Sequence, residues 1–303
     1  MIDPTAATAP ADTPADDPAP AGAPTADDPA PAGAPTADDP APAGAPTADD
    51  PGAGTEPGDI VISTLAERPT LIPRLYEFTD AWPAFVEHDP VADAFMGHVA
   101  TAFPEHCVVA TDGDRVVARG MSAPFDGRLP GRDELPDRGW DQVLAWAFYD
   151  RRRERAATVV SALEITVDTG YLGRGLSYRL LHALRAAAAA QGHRELLAPV
   201  RPTAKHLEPH VPMSEYVGRR RADGLPEDPW LRVHVRAGGE IVRVAPASMT
   251  VSGSLAQWRD WTGLPFDRDG AVEVPGALAP VHCDLAQDHA VYVEPNVWVR
   301  HRT

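Results

Sequence analysis

The chain has 303 residues and a formal net charge of −17 at neutral pH, from 44 acidic and 27 basic side chains. This acidity argues against a nucleic-acid surface, and we expect no signal peptide or membrane span because no apolar run is long enough for either. Two cysteines, Cys107 and Cys283, are too few for a disulfide framework and fit a reducing cytoplasm.

Residues 1–57 form a low-complexity segment built on an 11-residue unit, Ala-Asp-Asp-Pro-Ala-Pro-Ala-Gly-Ala-Pro-Thr, which starts at Ala15, Ala26 and Ala37. The segment holds 11 acidic residues, no Lys or Arg and no aromatic residue, so it accounts for most of the net charge. A composition this polar cannot bury a core, and we expect a disordered acidic tail that acts as a spacer or a docking arm.

The remainder, from residue 58 onward, is long enough for one large domain. Hydrophobic periodicity and turn chemistry predict the first half of it in chain order. The predicted elements are a strand at Asp59–Leu65, helices at Thr70–Trp82 and Pro90–Ala102, a hairpin of His106–Thr111 and Arg115–Ser122, and a helix at Trp140–Arg155.

The most informative stretch follows. Thr158–Val167 is rich in β-branched residues and predicts a strand, while Leu176–Gln191 repeats leucine and alanine at helical spacing. Glu195–Val200 predicts a second strand. Gly173 and Gly175 leave little side chain over the start of the helix.

Backbone N–H groups in the first turn of a helix have no intrahelical partner, and the helix dipole adds partial positive charge there. Glycines would let a phosphate approach those groups closely, so the turn is a candidate anion site. The alternative is an ordinary strand-to-helix turn, which glycine also favours.

The stretch from Val167 to Ser177, read as Val-Asp-Thr-Gly-Tyr-Leu-Gly-Arg-Gly-Leu-Ser, resembles the acyl-CoA-binding motif of the GNAT acyltransferase superfamily. That motif has a valine closing a strand and then Arg/Gln-x-x-Gly-x-Gly/Ala opening a helix. Leu172 stands where the family usually has Arg or Gln, and Ser177 where it has a small final residue. The departure at Leu172 bears on the strength of binding more than on its mode, since the motif acts mainly through backbone.

The resemblance implies an α/β (α+β) fold, a mixed central sheet flanked by helices, over residues 58–245. Beyond Val200 we expect a polar insertion at Arg201–Asp228, a helix at Pro229–Ala237 and a strand at Glu240–Val244. Residues 246–303 are predicted to be a C-terminal extension packed on the same domain, with a helix at Ala256–Gly263 and a strand at Ala290–Val299.

The resemblance also implies acetyl-CoA or another acyl-CoA as co-substrate. Its pantetheine arm would lie along Ile165, Thr166 and Val167, with the backbone N–H near Val167 stabilising the oxyanion. The diphosphate would lie at the start of the helix, on Gly173, Arg174, Gly175, Leu176 and Ser177. Leu172, just before them, is also among the predicted cofactor-binding residues.

Acyl transfer to an amine needs a base for the amine proton and an acid for the leaving thiolate. Glu164 is the predicted base, because a carboxylate in an apolar strand is costly unless it is paired or faces a cleft, and burial would raise its pKa. The alternative is an outward-facing glutamate. His234 is the predicted acid, four residues before Gly238, where the family often has tyrosine; a packed structural histidine is the alternative.

Other groups of residues give weaker indications of a catalytic or metal-binding role. If Gly239 is the counterpart glycine, the acid position falls on Val235, and Tyr171 is a substitute by proximity alone. His206, Glu208 and His210 have a spacing that could bind a metal on a helix, but Pro209 interrupts it and no metal is expected.

We therefore expect an N-acyltransferase that transfers an acyl group from acyl-CoA to an amine-bearing small molecule or peptide by direct attack. Two alternatives stay open: a donor acyl group carried by an acyl carrier protein, and a catalytically silent acyl-CoA-binding module. Neither nucleic acid nor a membrane is an expected partner. The sequence leaves the oligomeric state open between a monomer and a homodimer.

Overall fold

The computed structural model describes residues 59–303. The predicted acidic repeat tail, residues 1–57, lies outside the described residues. Within them the chain forms the mixed sheet flanked by helices that was expected, so the predicted fold class is confirmed.

Nine strands make one sheet, in the order β1-β2-β3-β4-β5-β9-β8-β7, with β6 also paired to β9. Only β4 and β5 run parallel among these pairs; the other neighbours are antiparallel. The strands are β1 (Ile60–Thr64), β2 (Cys107–Asp112), β3 (Arg115–Phe125), β4 (Val159–Val167), β5 (Glu195–Val200), β6 (Glu240–Ser254), β7 (Gly270–Val272), β8 (Val281–Asp284) and β9 (His289–Arg302).

Seven α-helices flank this sheet in the described part of the chain. They are α1 (Pro90–Phe95), α2 (Val99–Ala102), α3 (Gly139–Arg152), α4 (Leu176–Ala190), α5 (Met213–Tyr216), α6 (Pro229–Arg236) and α7 (Leu255–Thr262). No helix among residues 59–303 is long and apolar enough to cross a membrane.

The two faces of the sheet carry separate cores. One face packs against α3, α7 and the N-terminal segments, with Leu144, Trp258 and Trp298 among its fully buried side chains. The other packs against α4, whose Leu180 and Leu184 are completely buried. Because side chains alternate along a strand, β4 contributes to both cores, and its end can present groups to either face.

Strands β4 and β5 separate soon after they meet. Their parallel pairing is confined to Val160 with Leu196 and Ser161 with Leu197. Beyond Ser161, one flank of β4 therefore has no strand beside it within the described residues. This opening is the feature of the fold that positions the candidate site.

The predicted central elements agree closely with the structure. Helix α4 ends one residue before the predicted Gln191, and β5 has the predicted bounds. The hairpin of β2 and β3 is confirmed, with β3 running on to Phe125.

The predicted helix at Thr70–Trp82 is wrong. Only a 3₁₀ helix forms, at Pro69–Arg74, and it contains Pro73. Proline has no N–H to donate and constrains the residue before it, so an α-helix cannot propagate through this position. The apolar residues behind the pattern, Leu75 and Phe78, are buried in an irregular segment instead.

The predicted helix at Pro90–Ala102 is interrupted. Helix α1 ends at Phe95, a 3₁₀ turn at Met96–His98 contains Gly97, and α2 is a single turn. Glycine in a helix interior costs backbone entropy, which favours such a break. Strands β7 and β8, which are three and four residues long, were not predicted from the sequence.

Candidate active site

A cavity of about 670 Å³ lies where β4 and β5 separate. Its walls include residues 162–167 of β4, residues 198–200 at the end of β5, and the turn that opens α4. Of the predicted binding residues, the following line it: Ile165, Thr166, Val167, Leu172, Gly173, Gly175, Leu176 and Ser177. A single cleft thus joins the opened strand flank to the helix start.

The start of α4 is open rather than filled by packed side chains. Gly173 and Gly175 have φ of 74° and 68°, a left-handed conformation that other residues rarely adopt. A Cβ built on either glycine would meet nothing within 4 Å. Gly175 is the N-cap and no side chain caps the helix, so the first-turn amides at Leu176 and Ser177 are left for a ligand.

Two arginines flank this helix start. The guanidinium of Arg174 lies 4.6 Å from the centre of the Tyr171 ring, and that of Arg115 lies 5.7 Å from it. Arg174, which was predicted among the binding residues, is outside the cavity lining, so its side chain is turned toward Tyr171. Arg115 is paired with Asp168 at 2.5 Å, so the free amides and the Arg174 guanidinium are the groups that make this end of the cavity attractive to an anion.

The backbone of β4 presents unpaired groups to the cleft. The N–H of Asp168 donates to the carbonyl of Val117 on β3 at 2.8 Å. Because successive N–H groups of a strand point to opposite sides, those of Val167 and Ile165 point away from β3. They face the flank from which β5 has separated. This is the position where the sequence analysis placed the pantetheine arm and the oxyanion donor.

Glu164 lines the cavity, with 13% of its side chain exposed. One of its carboxylate oxygens, Oε1, accepts a hydrogen bond from Nε of Arg119 on β3. No hydrogen-bond donor among residues 59–303 engages the other oxygen, Oε2. Glu164 is therefore paired and also faces a cleft, and Oε2 is the atom available to a substrate.

Arg119 also lines the cavity and was not predicted from the sequence. It is 3% exposed, donates from Nη1 to the carbonyl of Leu75 at 2.9 Å, and lies 3.5 Å from Asp80 through Nη2. Its guanidinium is also 4.5 Å from the centre of the Tyr76 ring. A charged residue inside the apolar strand β3, adjacent to β4 in the predicted order, was the signal that could have paired it with Glu164.

His234 also lines the cavity but is almost fully buried, at 2% exposed. Its Nδ1 lies 2.9 Å from Nε2 of His301 on β9, and the Trp230 ring packs edge-on against it. Burial, followed by repulsion from His301, holds the pKa of His234 well below its ordinary value. His234 is therefore a neutral imidazole at neutral pH, a hydrogen-bonding group rather than a stored proton.

Carboxylates dominate the charge of the cavity wall. Three of them are paired: Asp80 and Glu164 share Arg119, and Glu294 pairs with Arg201 at 3.0 Å. The full set of acidic residues in the lining is Asp80, Glu87, Asp93, Glu164 and Glu294, against two arginines, Arg119 and Arg201. The cavity is thus suited to a positively charged guest.

The three residues with metal-binding spacing, His206, Glu208 and His210, do not converge on one point. His210 pairs with Glu273 at 2.7 Å, Glu208 pairs with Arg219, and His206 bonds to the Thr203 carbonyl. Across residues 59–303 no group of three or more His, Cys, Asp or Glu side chains is arranged to hold a metal ion.

Comparison with known proteins finds a curated relative and a solved structure with the same fold. No protein-family model matches the chain. The chain is 34% identical over 273 residues to the arginine N-acetyltransferase avaD of Aspergillus versicolor, an alignment that covers 79% of this chain and 93% of that protein. Among solved structures, the loading GNAT-like domain of CurA from Lyngbya majuscula superposes with a TM-score of 0.50 at 17% identity, over 80% of this chain and 97% of that one, and shares its fold.

Proposed function

The chain belongs to the GNAT superfamily of acyltransferases, and we propose that it transfers an acyl group, acetyl above all, from acyl-CoA to a cationic amine by direct attack. The observation that carries this proposal is the opened flank of β4 leading to the uncapped start of α4. That arrangement suits a long ligand with amides along its length and a diphosphate at one end.

In this proposal the cavity binds the two ends of the donor differently. The diphosphate lies on the first-turn amides of α4, and the pantetheine amides pair with backbone groups of Ile165 and Val167. The thioester carbonyl then lies near the end of β4, where the Val167 N–H stabilises the negative charge that develops on its oxygen. Holding donor and amine together in one cleft supplies proximity and orientation.

Glu164 is proposed to take the proton of the attacking amine through Oε2. A protonated amine first releases one proton to solvent, so that the neutral nitrogen can attack. The nitrogen then forms a bond to the carbonyl carbon, the carbon–sulfur bond breaks, and the proton that Glu164 removes from nitrogen ends on the sulfur of free CoA. Arg119 holds the other oxygen and fixes the direction of the carboxylate. No metal and no covalent enzyme intermediate is needed for this sequence of steps.

The acceptor is proposed to be a cationic amine of the arginine type. The excess of carboxylates in the lining supports this, in particular Glu87 and Asp93, which are exposed and form no ion pair within the described residues. The name of the Aspergillus relative, an arginine N-acetyltransferase, points to the same chemistry.

For the donor, we favour free acyl-CoA over an acyl carrier protein. The uncapped helix start with Arg174 beside it suits the diphosphate and nucleotide end that CoA has and a carrier-bound pantetheine lacks. Inhibition of the reaction by free CoA, which competes for this end, is the expected result; a reaction that CoA does not inhibit would favour the carrier.

The experiment that tests the function is thiol release from acetyl-CoA by the full chain with a panel of amines. We expect release to depend on the added amine, with arginine and other cationic amines preferred over neutral amines of similar size. Binding of acetyl-CoA without amine-dependent release would contradict the enzyme and support a silent binding module.

A further inference from the structure

The histidine pair beside the cavity is built into the fold. His301 is fully buried on β9, and its Nε2 is the partner of His234 Nδ1. Gly239 leaves the space that the pair needs, because a Cβ there would lie 2.6 Å from Cε1 of His301 and 2.7 Å from the carbonyl oxygen of His234. The N–H of Gly239 also donates to that carbonyl at 2.8 Å.

The two rings share one proton in the contact between them, so either His234 or His301 donates. No partner for His301 Nδ1 exists among residues 59–303, although that atom is buried. If His234 donated, the neutral His301 would carry its own proton on Nδ1, as a buried N–H without an acceptor. If His301 donates from Nε2, its Nδ1 is a buried acceptor without a donor. In proteins a buried N–H without an acceptor is rarer than a buried acceptor without a donor, so His301 is the donor.

We infer that His301 is a positioning residue that holds His234 in the tautomer with its proton on Nε2, so that His234 presents a neutral N–H donor to the cavity. His234 Nδ1 is occupied by His301, which leaves Nε2 as the ring nitrogen for the cavity that His234 lines. The role of this N–H group rests on the proposed acyl transfer. It would donate a hydrogen bond to the thioester sulfur as negative charge develops there.

The surroundings of the pair keep both rings neutral. Burial, followed by repulsion from Arg185 and His182 on α4, lowers the pKa of His301 to about 4. His234 faces Trp230 on its own helix and His301 on β9. Neither histidine gives up a proton in this scheme; His234 donates a hydrogen bond only, and the sulfur receives its proton from the amine.

The tautomer can be read directly by NMR. Two-bond proton–nitrogen correlation of the ¹⁵N-histidine-labelled chain distinguishes a protonated from a bare ring nitrogen, and the His234 signals are those lost in His234→Gln. We expect Nε2 protonated and Nδ1 bare for His234 throughout the range from pH 6 to pH 8. A proton on Nδ1, or on both nitrogens, in that range would overturn the inference, whether or not the chain acylates amines.

Two variants of His301 connect the tautomer to the reaction. In His301→Leu the partner is gone, and we expect the kcat of thiol release to fall about tenfold or more with the KM for the amine unchanged. In His301→Gln an amide nitrogen can donate in place of Nε2, and we expect the kcat and the His234 tautomer to return toward wild type. A His301→Leu variant that keeps both the Nε2 proton and full kcat would refute the positioning role. If the wild type releases no thiol, the function fails while the NMR result still decides the tautomer.

Discussion

We propose Glu164 as the residue on which the chemistry of the site depends most. It is held by Arg119 through one oxygen, while the other oxygen faces the cleft. General-base catalysis by a positioned side chain typically contributes 10²-fold or more. We therefore expect Glu164→Gln to lower the kcat of thiol release at least about 100-fold with little change in the KM for acetyl-CoA, as measured by steady-state kinetics.

A control for this variant lies outside the cavity. Glu195, at the start of β5, is also a strand glutamate near an arginine, Arg300, at 3.7 Å. Glu195→Gln is expected to leave the kinetics unchanged. Equal losses in the two variants would show that charge removal, rather than a base in the cleft, explains the effect.

Among single residues, the sequence revealed those that are unusual among their immediate neighbours along the chain. Glu164 stands out as a carboxylate in an apolar strand, and the glycines before Leu176 stand out at a helix start. Arg119 and His301 matter only through contacts 45 and 67 residues away along the chain. Such partners are set by the tertiary fold, which explains why sequence reasoning did not find them.

At the scale of elements, the start of α4 provides a matched test of anion binding. Gly175 precedes the helix with φ of 68°, and Gly192 follows it with φ of 83°; a Cβ at either would meet no atom within 4 Å. Alanine at either position should cost about 1 kcal/mol or more through the same backbone strain.

Of these two positions, Gly175 lines the cavity and Gly192 does not. Gly175→Ala is expected to raise the KM for acetyl-CoA about tenfold, because a methyl group obstructs the approach of the diphosphate to the amides. Gly192→Ala is expected to lower the melting temperature similarly while leaving that KM unchanged. A KM for acetyl-CoA that responds equally to both changes would argue against the diphosphate site.

A second element-scale prediction concerns the contact between α3 and the start of α1. Asp89 caps α1, accepting from the N–H groups of Val91 and Ala92, and it lies beside Asp141 of α3. Burial, followed by repulsion from Asp89, raises the pKa of Asp141 to about 8 from its ordinary value of 3.8. Folding therefore takes up a proton between these values, and stability falls as the pH rises through them, by about 1.4 kcal/mol per pH unit from this group.

Asp141→Asn removes that titration, since an amide resembles the protonated acid. We expect the variant to match the wild type at about pH 3, below both pKa values, and to become progressively more stable than it up to about pH 8, after which the gap stays constant. Denaturant midpoints across this range measure the effect, with the exposed Asp133→Asn as control. A gap that does not change with pH would contradict the raised pKa.

The elements that the sequence predicted well are those with strong, uninterrupted periodicity. Helix α4 and the hairpin of β2 and β3 are examples. The apolar residues around Leu75 have helical spacing, but Pro73 prevents an α-helix. Leu75 is buried as the spacing predicts, although it lies on irregular backbone. The bulges of β6 and the shortness of β7 and β8 left no periodic signal long enough to detect.

At the scale of the whole molecule, the last strand is central rather than appended. β9 pairs with β5, β6 and β8, and its Trp298 and Val299 are completely buried. Since β6 also runs across the predicted boundary at residue 245, we propose that residues 59–303 fold as one unit.

Deletions from the two ends test this view of the molecule. Removing β9 from His289 onward takes away three strand pairings and buried aromatic surface, so no cooperative thermal transition is expected. Removing residues 1–57, whose composition cannot contribute a core, is expected to leave the melting temperature unchanged. A cooperative transition in the chain without β9 would show that the extension is dispensable.

We propose that the cleft between β4 and β5 brings an acyl thioester and an amine together for direct transfer. The most direct measurement follows free CoA and acylated amine in the same reaction, with acetyl-CoA and arginine as substrates, by thiol detection and mass spectrometry. We expect one acetylated arginine for each CoA released, with both products reduced at least about 100-fold in Glu164→Gln. CoA release without acetylated amine, or equal yields from Glu164→Gln and wild type, would contradict it.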